Sequence, residues 1–222
     1  RVLTEKIIYL ILEKHVDPSE IVALTFTRAS ANDLRVKLKK KIPDLDNQLR
    51  VSTLHSFCLR QLLRNSKILD QFPKKFRIAD DWEERWIIQE DIKDIINANS
   101  VNEIQKQFNL LSADWQSLAE EKRDPKFIGA WREHRSIFRY ILRSEIVYQL
   151  KKALEQHSDE IDLETPIKYL LVDEYQDLNK CDQAIIRALS TKGAMLFIAG
   201  DDDQSIYGFR KAYPSGIRDF LT

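Results

Sequence analysis

Leu170-Leu171-Val172-Asp173-Glu174-Tyr175-Gln176-Asp177 decides how this chain is read, because an apolar run ends there in two adjacent acids. Strands buried on both faces of a parallel sheet read as short unbroken apolar runs. An open parallel sheet binds its ligands beyond the carboxyl ends of its strands. An aspartate at that place can hold Mg²⁺, directly or through water, and the glutamate after it can orient and deprotonate an attacking water. Nucleotide hydrolysis needs that division of labour. Two acids after a strand are also ordinary loop residues; it is the full string, with Gln176 and Asp177, that sets this stretch apart.

Downstream, a second apolar run ends in the same way. Ala194-Met195-Leu196-Phe197-Ile198-Ala199 leads into Gly200-Asp201-Asp202-Asp203-Gln204-Ser205-Ile206-Tyr207-Gly208-Phe209-Arg210. Adjacent acids in an extended loop point apart, so the three aspartates make a poor metal cage. The Gln204 amide both donates and accepts, and so can sense a phosphate oxygen or a water. Tyr207 and Phe209 sit two apart, where an extended segment aims both rings one way, either to stack on bases or into a core.

Upstream, Val2 to Lys14 carries Leu3, Ile7 and Leu10/Ile11 at helical spacing, and Asp17-Pro18-Ser19 breaks it. Ile21-Val22-Ala23-Leu24-Thr25-Phe26 and Arg50-Val51-Ser52-Thr53 are strand candidates. Ser30-Ala31-Asn32-Asp33 is the expected cap of a helix through Leu34, Leu38 and Ile42, and another helix is expected over about 55–69. Strands separated by helices imply right-handed crossovers and a parallel sheet.

Between about 70 and 160 the character changes. All four tryptophans (Trp82, Trp86, Trp115, Trp131) fall here, with a single glycine, Gly129, and repeated helical periods such as Ile88, Ile92, Ile95/Ile96. The stretch reads as an all-helical insertion with its own core, in which the tryptophans are expected to be buried.

Composition fits a globular protein with a real core: of 222 residues, 43% are hydrophobic and 32% charged. No run approaches the roughly 20 apolar residues of a membrane span. The opening Arg1-Val2-Leu3-Thr4-Glu5-Lys6 has no signal-peptide layout. Cys58 and Cys181 lack metal-ligand spacing and read as reduced thiols of a cytoplasmic protein. Net charge is zero but patterned: residues 28–41 hold six bases against Asp33, whereas residues 80–94 are strongly acidic. Such runs are most simply solvated helix faces, although a neutral total can hide a basic face.

Val172-Asp173-Glu174-Tyr175-Gln176-Asp177 resembles the Walker B motif of superfamily-one helicases of the UvrD/Rep/PcrA type, and residues 200–210 resemble that family's motif III. Ala23-Leu24-Thr25-Phe26-Thr27-Arg28-Ala29-Ser30-Ala31 is similar to motif Ia, and Ser52-Thr53-Leu54-His55-Ser56-Phe57 to motif Ib. The four occur in family order, with a helical insertion where the family places one.

The resemblance implies an α/β fold: a RecA-like P-loop NTPase motor domain over 1–69 and 161–222, with a parallel sheet, and an all-helical inserted subdomain over 70–160. It implies an ATP-dependent DNA helicase that couples Mg-ATP hydrolysis to movement along single-stranded DNA. Asp173 would coordinate Mg²⁺ and Glu174 would activate water. Gln204 would contact the γ-phosphate, and Arg210 would pair with Glu174. Phe26, Tyr207 and Phe209 would stack on bases, and Arg28, Thr53 and His55 would lie along the DNA backbone with Arg35 nearby. A second motor domain of the same parent chain is the implied partner.

Phe209 stands where relatives often have tryptophan, and Lys211 where glycine is common. No Gly-x-x-x-x-Gly-Lys-Thr occurs in the 222 residues. In the family a helix much like residues 1–8 follows that loop directly. The chain is therefore expected to start just after it, to be inactive alone, and to leave residues 194–199 as an open sheet edge. Two rival readings are a Mg²⁺-dependent nuclease built on Asp173, Glu174 and Asp201–Asp203, and a binding module that keeps the fold without turnover.

Overall fold

The structure is a computed structural model that describes residues 2–45, 49–66, 76–119, 123–164, 167–201 and 213. It divides into two compact units, residues 1–64 with 162–222, and residues 65–161.

The first unit opens with α1 (Val2–Leu12), β1 (Ile21–Thr25), α2 (Arg28–Lys41), β2 (Arg50–Thr53) and α3 (Leu54–Arg64). After the second unit it resumes with β5 (Tyr169–Val172), α9 (Lys180–Thr191) and β6 (Met195–Ile198). Its strands form one parallel sheet in the order β2-β1-β5-β6. β1 is central: Thr25 pairs in register with Thr53 on one side and Leu24 with Val172 on the other. All five residues of β1 are buried, as a strand covered on both faces must be. Alternation sends Ile21 and Ala23 to one face, where they pack with Leu3, Ile7, Leu10, Leu34, Leu38 and Leu171. Val22 and Leu24 turn to the face against which α3 packs.

Local chemistry shifts some boundaries. α2 begins at Arg28, not after Ser30, because the Thr27 hydroxyl accepts from the Ser30 backbone N–H at 3.0 Å and caps the helix earlier. Its basic residues Arg28, Arg35, Lys37, Lys39, Lys40 and Lys41 are all exposed, opposite buried Ala31, Leu34 and Leu38. The last three sit in the final turn, where cations favour the helix dipole. Gly193, at φ +100°, makes the left-handed turn from α9 into β6. β6 pairs only with β5 among the described residues. This is the open edge expected at 194–199, but an apolar run of this kind is here only partly buried: Ala194 is buried and Leu196, Phe197 and Ile198 are half-buried, whereas Met195 is 63% exposed, because nothing described flanks the strand's outer side.

The second unit contains β3 (Arg77–Ala79), α4 (Asp81–Glu83), a π-helical turn Glu84–Ile88, α5 (Gln89–Ile96), α6 (Val101–Ser117), α7 (Pro125–Phe138), β4 (Tyr140–Leu142) and α8 (Ile146–Gln156). It is not wholly helical: β3 and β4 pair in parallel over three residues each. Phe108, Phe127, Trp115 and Trp131 form its aromatic core, with Phe108 and Phe127 edge to face at 5.0 Å. The expectation of four buried tryptophans fails for two of them. Trp115 and Trp131 are buried, whereas Trp82 and Trp86 are 62% and 56% exposed. The helical period that buries Ile88 and Ile92 leaves them on the opposite side.

Candidate functional site

Parallel register brings the carboxyl ends of the four strands described in the first unit to one edge. Phe26 follows β1, Thr53 ends β2, Asp173 and Glu174 follow β5, and Gly200 and Asp201 follow β6. Backbone hydrogen bonds carry the ladder past the strands: Asp173 N–H donates to the Leu24 carbonyl at 2.9 Å and Ala199 N–H to that of Val172 at 2.8 Å. Tyr175 N–H then donates to the Ala199 carbonyl at 3.1 Å, fastening the two loops together.

Glu174 takes the left-handed conformation, φ 52° and ψ 46°, and starts the short 3-10 turn Tyr175–Asp177. A glutamate there is uncommon, and strained backbone of this kind concentrates at functional sites. The Glu174 side chain is held from below. Gln176, 2% exposed, donates from Nε2 to Glu174 Oε2 at 2.7 Å, and its Oε1 accepts from the Asp201 backbone N–H at 3.1 Å. One buried amide thus connects the acid after β5 to the loop after β6, using both its donor and its acceptor. The sequence reading gave Gln176 no role of its own. The only available signal was its place two residues after Glu174, and its partner lies 25 residues further on.

Asp173 is half-buried, and desolvation, followed by the neighbouring Glu174 charge, pushes its carboxyl above the usual range. Asp177 is raised by the same two causes in the same order. Bringing a divalent cation to Asp173 would oppose both effects. Among the described residues no three His, Cys, Asp or Glu side chains gather as a metal cage. Mg²⁺ at phosphate sites is commonly held by one or two carboxylates with phosphate oxygens and water, so Asp173 fits the ion without a cage.

The other expected residues divide in two. Phe26 is half-buried, and Arg28 and His55 are exposed. Thr53 Oγ1 donates to Ser56 Oγ at 2.9 Å and accepts from the Ser56 N–H at 3.3 Å, so it also caps α3. Arg35 donates from its guanidinium to the Val51 carbonyl, which ties it to β2. Gln204, Tyr207, Phe209 and Arg210, together with Asp202 and Asp203, lie outside the described residues.

After the turn Tyr175–Asp177, α9 carries Asp182, fully buried and pushed up to about 7 by desolvation. Its Oδ2 accepts from the Asn179 N–H at 3.2 Å in a capping box, while Oδ1 has no hydrogen-bond partner among the described residues. The Cys58 thiol beside it is raised by burial and then by the Asp182 charge.

The model of the UvrD/REP helicase N-terminal domain matches residues 1–222. The ATP-dependent DNA helicase PcrA of Staphylococcus aureus is 28% identical over 239 aligned positions, which cover 99% of this chain and 32% of that protein. The ATP-dependent DNA helicase Rep of Buchnera aphidicola is 29% identical, covering 98% of this chain and 36% of the relative. The chain therefore spans about a third of the length of these curated relatives. With four strand ends and two adjacent acids gathered at one sheet edge and the whole chain matched, these 222 residues belong to the UvrD/REP helicase N-terminal domain family.

Proposed function

We propose that the carboxyl edge of this sheet is the nucleotide-facing wall of a motor domain that couples Mg-ATP hydrolysis to movement along single-stranded DNA. The observation that carries the reading is Glu174, strained at positive φ and fixed by Gln176 to the loop after β6. In this reading Glu174 orients and deprotonates the attacking water, and Asp173 holds Mg²⁺. Mg²⁺ held there would supply neutralisation of the charge that develops on the phosphate oxygens. Gln204 senses the γ-phosphate, and Arg210 pairs with Glu174. Gln176 transmits a shift of the loop after β6 to Glu174, because both ends of its amide are engaged.

Single-stranded DNA follows the same edge. Phe26, Tyr207 and Phe209 offer rings to bases, and Arg28, Thr53 and His55 meet the backbone. Arg28 supports this placement, because a cation in the first turn of α2 gains nothing from the helix dipole. The two motor domains of one parent chain would close over the nucleotide. Buried reduced Cys58 and Cys181 accord with a cytoplasmic setting, and no described helix is long and apolar enough to cross a membrane.

The test is phosphate release by the full-length product of the gene, with and without oligothymidylate, beside Glu174→Gln. Losing the water-activating carboxylate should slow DNA-stimulated turnover by about 10²–10⁴-fold. Turnover by Glu174→Gln at the parent rate would refute the assignment.

A further inference from the structure

We propose that the Trp82–Trp86 face of the second unit docks an Arg- and Lys-rich helical segment of another protein. Trp82 and Trp86 lie one turn apart, both more than half exposed, and Ile87, next to Trp86 in the chain, is also exposed. Large side chains left in water in this way are characteristic of recognition surfaces, and tryptophan is the residue most enriched among binding hot spots. Trp82 sits in α4 and Trp86 in the π-helical turn Glu84–Ile88 that follows it, where Gln89 N–H reaches back to the Glu84 carbonyl. Single π turns inside helices cluster at functional sites.

Charge selects the partner. Residues 80–94 bring Asp80, Asp81, Glu83, Glu84, Glu90, Asp91 and Asp94 against only Arg85 and Lys93. Arg77 reaches Glu83, Arg143 reaches Asp81 at 3.2 Å, Lys93 reaches Glu90 at 2.7 Å and Asp94 at 3.2 Å, and Asp91 turns to His134 at 3.0 Å, yet the acids still outnumber the bases. The Asp81 and Asp94 side chains remain 81% and 74% exposed. A nucleic-acid backbone would be repelled here, whereas a cationic segment would be steered in. The rings suit the same partner. Arg85 already places its guanidinium 5.3 Å from the centre of the Trp86 ring, so that ring works as a cation platform in the free protein. An incoming arginine would lie over Trp82 in the same manner, while its aliphatic neighbours cover Ile87.

The experiment uses the 222-residue chain and a fluorescein-labelled synthetic helix of about 15 residues with Arg and Leu four apart. Its controls are the same peptide with Glu for Arg, and oligothymidylate. The cationic peptide should bind and weaken as salt rises. The double variant Trp82→Ala/Trp86→Ala should weaken it about tenfold or more while the melting temperature stays at the parent value, because neither ring is in the core. Glu90→Gln/Asp94→Asn should weaken it to a lesser degree. The proposal fails if the cationic peptide does not bind. It also fails if the peptide binds the double variant as well as the parent, or if the acidic peptide or oligothymidylate is the probe that depends on the two tryptophans.

Discussion

Replacing Asp182 by Asn removes a charge that α9 holds out of water. The wild-type carboxyl is fully buried, one oxygen has no partner among the described residues, and protonation is favoured up to about pH 7. In the unfolded chain the same group titrates near 3.8. The folded state therefore binds the extra proton between these values. Stability from this group is fully present below the unfolded value, is lost as pH rises towards 7, and is flat above. A tenfold difference in proton affinity between the folded and unfolded chains is worth about 1.4 kcal/mol, so between pH 5 and pH 8 the parent should lose roughly 2–3 kcal/mol through Asp182 alone. Asn keeps an acceptor for the Asn179 N–H and carries no charge, so the variant escapes that loss. Other groups titrate in both proteins, and the difference between the two isolates this one. Thermal melts of the 222-residue chain across this range should show Asp182→Asn gaining about 5–10 °C on the parent from pH 5 to pH 8. A gap that stays constant with pH, or narrows as pH rises, would mean that the carboxylate is solvated or paired and that the burial argument is wrong.

Two further outcomes bear on the proposed site. In the full-length gene product, Gln176→Ala should lower kcat for ATP about tenfold or more with KM little changed, while Gln176→Glu should not rescue it, because a carboxylate cannot donate to Glu174; equal loss in KM would indicate general unfolding of the loop. Tyr207→Ala should cost about 1–3 kcal/mol of oligothymidylate binding by fluorescence anisotropy with an unchanged melt, and a variant that melts far below the parent would put the ring in the core.

What could be read in the sequence was what local pattern encodes. β1 and β5 were legible because strands buried on both faces are unbroken apolar runs, and the change from Val172 to Asp173 marks the sheet edge sharply. β6 has the same apolar run but not the same burial, since burial depends on flanking strands and not on the strand itself. β3 and β4, at three residues each, are too short to display a period. Trp82 and Trp86 were misassigned by residue type, although Ile88 and Ile92 already marked the buried side of that helix. The Gln176 bridge could not be read as a bridge, because its contact to Asp201, 25 residues on, depends on how two loops meet after folding.

The order of the sheet also sets a timetable for synthesis. β1 can pair with β2 almost as soon as both leave the ribosome, but its other neighbour, β5, ends near residue 172. At about 5–20 residues per second, one hydrogen-bonding edge of β1 waits roughly 7–30 s for its partner. The second unit, contiguous and with its own aromatic core, is made entirely within that interval. A nascent chain stalled between residues 100 and 160 thus exposes a bare apolar strand edge, the kind of surface that recruits chaperones or begins aggregation.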